Sequence, residues 1–225
     1  MKLLHIETAT SVCSVGISEN KILLSQNSID DGFKHAEILN GMVKQLIDET
    51  KFSLNQLSAI SVSIGPGSYT GLRIGLSFCK GLAYGLNIPV IAVNTLFSMA
   101  SVAQKKMLPT PNQFLVPMID ARRMEVYTSI FDNKLMDIET TSAKIIDEKS
   151  FENWQEKELI FFGNGAEKCK SILDKKNHTF LDQVYCEASG QVEIASNLFL
   201  SKKFNNLATL EPFYLKEFKT NIKEK

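Results

Sequence analysis

Glu7 and Asp120 stand in the same sequence setting, each closing an apolar run, opening a short polar turn and leading into a second strand pattern. The hydroxyls of Thr8 and Thr10 just beyond Glu7 offer hydrogen bonds to an anion. A second candidate is Gly65-Pro66-Gly67-Ser68-Tyr69-Thr70, a turn between a strand and a helix where backbone N–H groups can receive phosphate. It lacks the Lys-Ser/Thr pair of a P-loop, and a purely structural turn is its other reading. The run Phe162-Gly163-Asn164-Gly165-Ala166 leaves the same choice. Arg122 and Arg123 suit phosphate or RNA, and equally an ion pair with Glu125 or another acid. Metal chemistry has little support: His35 begins a helix and one turn later stands Leu39, which donates nothing to a metal. His5 reads as a strand residue and His178 as part of a polar loop. Cys13, Cys79, Cys169 and Cys186 have no CxxC spacing, so neither zinc nor a disulfide framework is expected, and thiols fit a reduced cytosol.

The elements around these residues repeat. Strand patterns at 2–7, 12–17 and 22–29 are followed by helices at 35–50 and 70–86, with a strand at 57–64 between them, and then by a strand at 89–94 and a helix at 95–106. A linker at 107–112 leads to a strand at 114–120 and its return at 125–131. Helix near 150–154, strand 159–162 and helices 165–176 and 191–204 complete the second half. Glu7 and Asp120 are about half a chain length apart, the spacing of a duplicated domain. The expectation is an α/β fold of two mixed-sheet lobes, 1–108 and 109–225.

The helix at 70–86 carries Gly71, Gly75, Gly81 and Gly85, each costing about 1 kcal/mol relative to alanine. On a helical wheel they share one arc with Ile74, Phe78 and Leu82, a stripe that admits another backbone. The opposite side carries Leu72, Leu76, Cys79 and Ala83. The helix at 35–50 also has a wide apolar arc, including Ile38, Leu39, Met42 and Leu46. The expected partner interface is therefore Ile38, Leu39, Met42, Leu46, Gly71, Gly75, Phe78 and Leu82, with packing inside the chain as the alternative.

At 225 residues, 44% hydrophobic, with 25 basic and 25 acidic side chains, the chain can bury a full core and is a poor candidate for holding nucleic acid tightly on its own. Its most basic stretch, 216–225, reads as a solvated tail. The opening meets Glu7 too early for a signal peptide, and no apolar run approaches the ~20 residues of a membrane span, so a cytoplasmic protein with no membrane contact is expected.

Two duplicated lobes opening on hairpins resemble the actin, sugar kinase and heat-shock ATPase (ASKHA) superfamily. Its phosphotransferases place carboxylates at the positions of Glu7 and Asp120 to orient magnesium-bound water. The resemblance therefore implies Glu7, Thr8, Thr10 and Asp120 as candidate nucleotide- or phosphate-facing residues, and Phe162-Gly163-Asn164-Gly165-Ala166 as a match to its adenosine-side turn. Those phosphotransferases, however, have a glycine in the first turn where this chain has Thr8, Ala9, Thr10 and Ser11. The run Gly65-Pro66-Gly67-Ser68-Tyr69-Thr70-Gly71-Leu72-Arg73-Ile74-Gly75 narrows the resemblance. With Ile6-Glu7-Thr8-Ala9-Thr10, His35-Ala36-Glu37-Ile38-Leu39, Ile119-Asp120-Ala121-Arg122-Arg123-Met124-Glu125-Val126-Tyr127 and Glu211-Pro212-Phe213-Tyr214-Leu215-Lys216, it is similar to the TsaB (YeaZ) family along nearly the whole chain. That resemblance implies the non-catalytic dimerisation subunit of the bacterial machinery that puts threonylcarbamoyl on N6 of adenosine 37 in tRNAs reading codons that start with A. It implies pairing with the catalytic TsaD subunit and docking of the ATPase TsaE. A homodimer is expected when the chain is alone, and tRNA is met only through the complex. No cofactor or metal is implied for this chain by itself, with ATP or ADP present in the complex with TsaE. TsaD holds its metal through an HxxxH pair, whose positions here are His35 and Leu39, so no catalytic residue is expected. The rival expectation is a free-standing ATP-dependent small-molecule kinase or ATPase.

Overall fold

The computed structural model describes residues 1–32 and 34–216; the basic stretch expected to be a tail therefore lies, beyond Lys216, outside the described residues. The first five-stranded sheet comprises β1 (Lys2–Glu7), β2 (Val12–Glu19), β3 (Ile22–Asp30), β4 (Ala59–Gly65) and β5 (Val90–Asn94), in the order β3-β2-β1-β4-β5. The second comprises β6 (Gln113–Asp120), β7 (Glu125–Phe131), β8 (Asp137–Ile145), β9 (Glu158–Phe162) and β10 (His178–Leu181), in the order β10-β9-β6-β7-β8. Written from the hairpin outward the two orders are the same, with β1 matched by β6 and β5 by β10. In both, the central strand pairs antiparallel with its hairpin partner and parallel with the strand on its other side. The duplication expected from the strand-end carboxylates is thus the topology of the molecule.

Central strands are apolar because both faces are covered. Beneath the first sheet lie α1 (His35–Thr50) and α2 (Tyr69–Leu86), whose Leu39, Met42, Leu46, Leu76 and Cys79 pack on Ile6, Val15 and Val62. Its other face receives α5 (Val192–Leu200), with Ala195 against Leu3, Ile91 and Val93. The second sheet packs α3 (Thr95–Met107) on one face and α4 (Ala166–Leu173) on the other. Helix α3 also touches β4 and β5, so it lies between the sheets. Ser68 caps α2 by accepting the Gly71 N–H at 3.2 Å, and Asn94 caps α3 by accepting the Phe97 N–H at 3.1 Å.

Several expectations need correction. The helix near 150–154 is a single 3-10 turn at Glu152–Trp154, and the last helix ends at Leu200 because residues 201–204 turn back toward β5. Strands β8 and β10 were not expected, and His178 is the first residue of β10 rather than part of a polar loop. The chain after 187 also returns to the first sheet. A 3-10 turn at Ala188–Gln191 packs on β1, β2 and β4, and Asn205 bridges Val90, donating its N–H to the Val90 carbonyl at 3.0 Å. Residues between 188 and 214 of the expected 109–225 unit are therefore part of the first lobe's packing.

Candidate functional site

Glu7 ends the central strand of the first sheet, and its side chain turns inward. One carboxylate oxygen accepts the Ala9 N–H at 2.9 Å; the other accepts the Ser63 hydroxyl and, at 3.4 Å, the Gln191 side-chain amide. Glu7 is 0% exposed, and burial raises its pKa above the ordinary carboxylate range, opposed only in part by these donors. Gln191 is the hub. Its amide N–H groups also reach the Ile6 carbonyl at 2.8 Å and Ser63 at 3.1 Å, while its carbonyl accepts the Ser61 hydroxyl at 2.7 Å. Ser61 lies 2.6 Å from Nδ1 of His5, whose Nε2 lies 2.7 Å from Ser18. One assignment of protons satisfies every member: Ser18 donates to His5, His5 through Nδ1 to Ser61, Ser61 to Gln191, Gln191 to Ser63, and Ser63 to Glu7. Burial and the charge of Lys105 lower the His5 pKa to about 3, so the ring is neutral in this chain of bonds.

Thr8 and Thr10 are buried as well. The Thr8 hydroxyl donates to the Gly71 carbonyl at 2.8 Å, and the Thr10 carbonyl accepts from Nε2 of His35 at 2.7 Å. Glu7, Thr8 and Thr10, expected to face a nucleotide, are thus buried in this structure, with the Glu7 carboxylate and the Thr8 hydroxyl bonded to protein groups. Asp120 differs. It is exposed, accepts the Arg122 N–H at 2.8 Å and pairs with Lys168. The duplicated carboxylates thus occupy opposite environments.

The turn at 65–70 is held by packing. A side chain at Gly67 would strike the Ala9 carbonyl, and one at Gly65, whose φ is +126°, would meet the Phe213 carbonyl. Gly71 and Gly75 continue the same contact, since a Cβ at either would collide with Thr8. Only the last two glycines of α2, Gly81 and Gly85, look into open space. The expected partner residues therefore divide. Leu39, Met42 and Leu46, at 2%, 3% and 0% exposure, belong to the first lobe's own core, and Gly71 and Gly75 admit the β1–β2 turn. Ile38, Phe78 and Leu82 are half-buried beside Ile74 and the exposed Gly81 and Gly85, and Tyr84 is 84% exposed.

No metal site forms at the start of α1. Leu39 is in the core and His35 is bonded to Thr10, so these residues do not fit the metal that an HxxxH pair would hold. Among the described residues no cluster of three or more His, Cys, Asp or Glu side chains is arranged to hold an ion, and no helix is long and apolar enough to cross a membrane.

Residues 32–223 match the family model described as TsaD, tRNA N6-adenosine threonylcarbamoyltransferase. A relative from Buchnera aphidicola subsp. Acyrthosiphon pisum, named tRNA threonylcarbamoyladenosine biosynthesis protein TsaB, is 32% identical over 195 residues, covering 80% of this chain and 83% of the relative. The chain belongs to the TsaB family, within the wider family of that model. The Escherichia coli TsaB is 29% identical over 228 residues, covering 96% of this chain and 95% of its own. YeaZ from Pseudomonas aeruginosa shares the fold, with a TM-score of 0.83 at 24% identity over 95% of this chain and 99% of that one.

Gln191 is the residue that sequence reasoning missed. Its partners lie 128 and 130 positions away at Ser63 and Ser61, and no local pattern marks it. Only the return of the last segment to the first sheet brings them together.

Proposed function

We propose that this chain is the non-catalytic subunit required for threonylcarbamoyl transfer to N6 of adenosine 37 in tRNAs reading codons that start with A. It pairs with a TsaD-like catalytic subunit, a TsaE-like ATPase docks on the pair, ATP or ADP enters with that ATPase, and tRNA is met in the complex. Alone, the chain covers the same face by forming a homodimer. The relatives named as threonylcarbamoyladenosine biosynthesis proteins support the pathway.

The observation that carries the partner role is the open half of the α2 stripe. Gly81 and Gly85 weaken their helix by about 1 kcal/mol each relative to alanine, yet among the described residues no neighbouring element comes within 4 Å of where a Cβ would stand on either. Flanked by Ile74, Phe78, Leu82 and Ile38, they leave a shallow apolar strip wide enough for a second helix to approach closely. The sealed Glu7 supports a role without chemistry, and it weakens the rival kinase reading, which needs that carboxylate free to orient a hydrated cation.

Gly85→Leu should leave the isolated chain folded and weaken pairing with the catalytic subunit at least tenfold by calorimetry. Undiminished pairing would refute this use of the strip. Gly75 is unsuitable for this test, because a leucine there disrupts the contact with Thr8 and the lobe itself.

A further inference from the structure

We propose that the turn between β6 and β7 is a contact for the phosphate groups of RNA, with Arg122 and Arg123 reaching them. The proposal rests on the role in tRNA modification argued above, and it assigns to this chain a direct share in holding the nucleic acid.

The two hairpin turns of the duplicated lobes have diverged. The first is buried under α1 and α2, whereas Arg122 and Arg123 in the second are exposed. Either arginine could have paired with a neighbouring acid, but both acids are taken: Asp120 by Lys168 and Glu125 by Lys216. Among the described residues neither arginine has an ion-pair partner. Among the described residues, the turn therefore presents two successive exposed arginines without an acid paired to either.

Its backbone is also built. Arg122 and Arg123 have φ of +69° and +50°, a conformation unfavourable for residues with a Cβ. It is held by the Arg122 N–H on Asp120 at 2.8 Å, the Glu125 N–H on the Arg122 carbonyl at 3.2 Å, and the Ala121 N–H on the Glu125 carbonyl at 3.0 Å. Lys168 clamps it from beneath, donating to the Arg123 and Glu125 carbonyls at 2.6 and 2.7 Å. Structure of this kind fixes where the arginines start, and their planar forks suit phosphate oxygens. The pair of Lys216 with Glu125 also brings the Lys216 ammonium to this turn.

A free nucleotide would carry the same phosphate chemistry, but in the first hairpin the Glu7 carboxylate and the Thr8 hydroxyl are buried and already bonded to protein groups, so the two turns do not offer a matched pair of phosphate ligands. A nucleic-acid backbone needs only one exposed face.

The test uses the full chain, alone and with the catalytic subunit, and a fluorescently labelled tRNA titrated across a range of KCl. The double variant Arg122→Gln/Arg123→Gln should bind several-fold more weakly at low salt, with the slope of log affinity against log salt shallower by about 1 to 2, one phosphate contact accounting for somewhat under one unit. Lys170→Gln, an exposed lysine of α4, should change neither. An unaltered slope in the double variant, or an equal change in Lys170→Gln, overturns the proposal. Saturable binding of ATP or pyrophosphate by the chain alone, lost in the double variant, would assign the turn to a free nucleotide and overturn it too. Pairing is followed separately by gel filtration: if the wild-type subunits fail to pair, the partner reading fails, and titration of the chain alone still decides the arginines.

Discussion

Gln191 occupies the hydrogen-bonding capacity that a strand-end carboxylate would otherwise offer to a cation, and Glu7, Ser63 and His5 are ordered around it. The network has opposing consequences for acid stability. His5 titrates near 6.5 when unfolded and at about 3 when folded, so the native state resists the proton that the unfolded chain takes up. Its contribution is complete above pH 6.5 and is lost as pH falls from there toward 3, at about 1.4 kcal/mol per unit for one proton. Glu7, raised by burial, works the other way: its contribution is present below its unfolded value of 4.5 and is lost as pH rises through the folded value. Between pH 6.5 and 5 the two act in opposite directions, so the histidine is read from the difference between the wild type and a variant that lacks it. Urea unfolding over that window should therefore be followed in both. Relative to the wild type, His5→Asn should lose the component of stability that falls with falling pH, so its stability falls less, or rises, between pH 6.5 and 5; His178→Asn, at the partly buried edge of the second sheet, should change the slope in the same direction. A slope unaffected by His5→Asn would mean that the buried ring is not what resists the proton. Strand and helix periodicity place Glu7 at the end of β1, but they carry no information on whether a carboxylate at a strand end looks outward or inward. That is decided by residues more than a hundred positions away.

Helix α2 shows how far a single element can be read. Its extent and its stripe of glycines follow from composition and spacing, and α1 at 35–50 and β7 at 125–131 coincide with their sequence patterns. What spacing does not encode is that the stripe serves two neighbours in succession, the β1–β2 turn at Gly71 and Gly75 and open space at Gly81 and Gly85. The two halves should respond with opposite sign. Gly75→Ala places a methyl against Thr8 and should cost about 3 kcal/mol in urea unfolding; Gly81→Ala adds helix propensity with nothing to strike and should gain about 1 kcal/mol in the isolated chain. Equal effects at both positions would contradict the packing described here. The missed strands have plain physical causes. β8 is an edge strand with Glu139, Thr141 and Lys144 among its less exposed side chains, so its sequence lacks the apolar alternation of a half-buried strand, and β10 has only four residues. Their places in the sheet are set by β7 and β9, which do carry the pattern.

At the scale of the whole molecule, two copies of one topology are joined by the chain's own last segment. Leu210 is buried in the first lobe's core, the Phe213 N–H donates to the Ile64 carbonyl at 2.6 Å, and Tyr214 lies on Tyr69 with ring centroids 4.8 Å apart while its hydroxyl accepts from Arg73 at 2.9 Å. Two residues later Lys216 pairs with Glu125 of the second lobe. The strap therefore runs from the start of α2, beside the partner strip, to the hairpin that carries Arg122 and Arg123. The exposed ion pair is worth at most about 1 kcal/mol and the backbone bond to Ile64 a similar amount. Ending the chain after Leu210 keeps the core residue and removes both, along with the Tyr214 contacts. Such a truncation should fold, lose about 2 kcal/mol, and exchange amide hydrogens faster at the end of β4, at the start of α2 and in the 120–125 turn, with β1 and the first residues of β4 unaffected. Tyr214→Phe, which deletes only the hydroxyl that Arg73 reaches, should loosen the start of α2 and leave the distant turn as it was. If the truncation leaves exchange in the turn unchanged, the strap is a passive appendage of the first lobe, and the coupling between partner strip and arginine turn must be sought through α3, the element that touches both sheets.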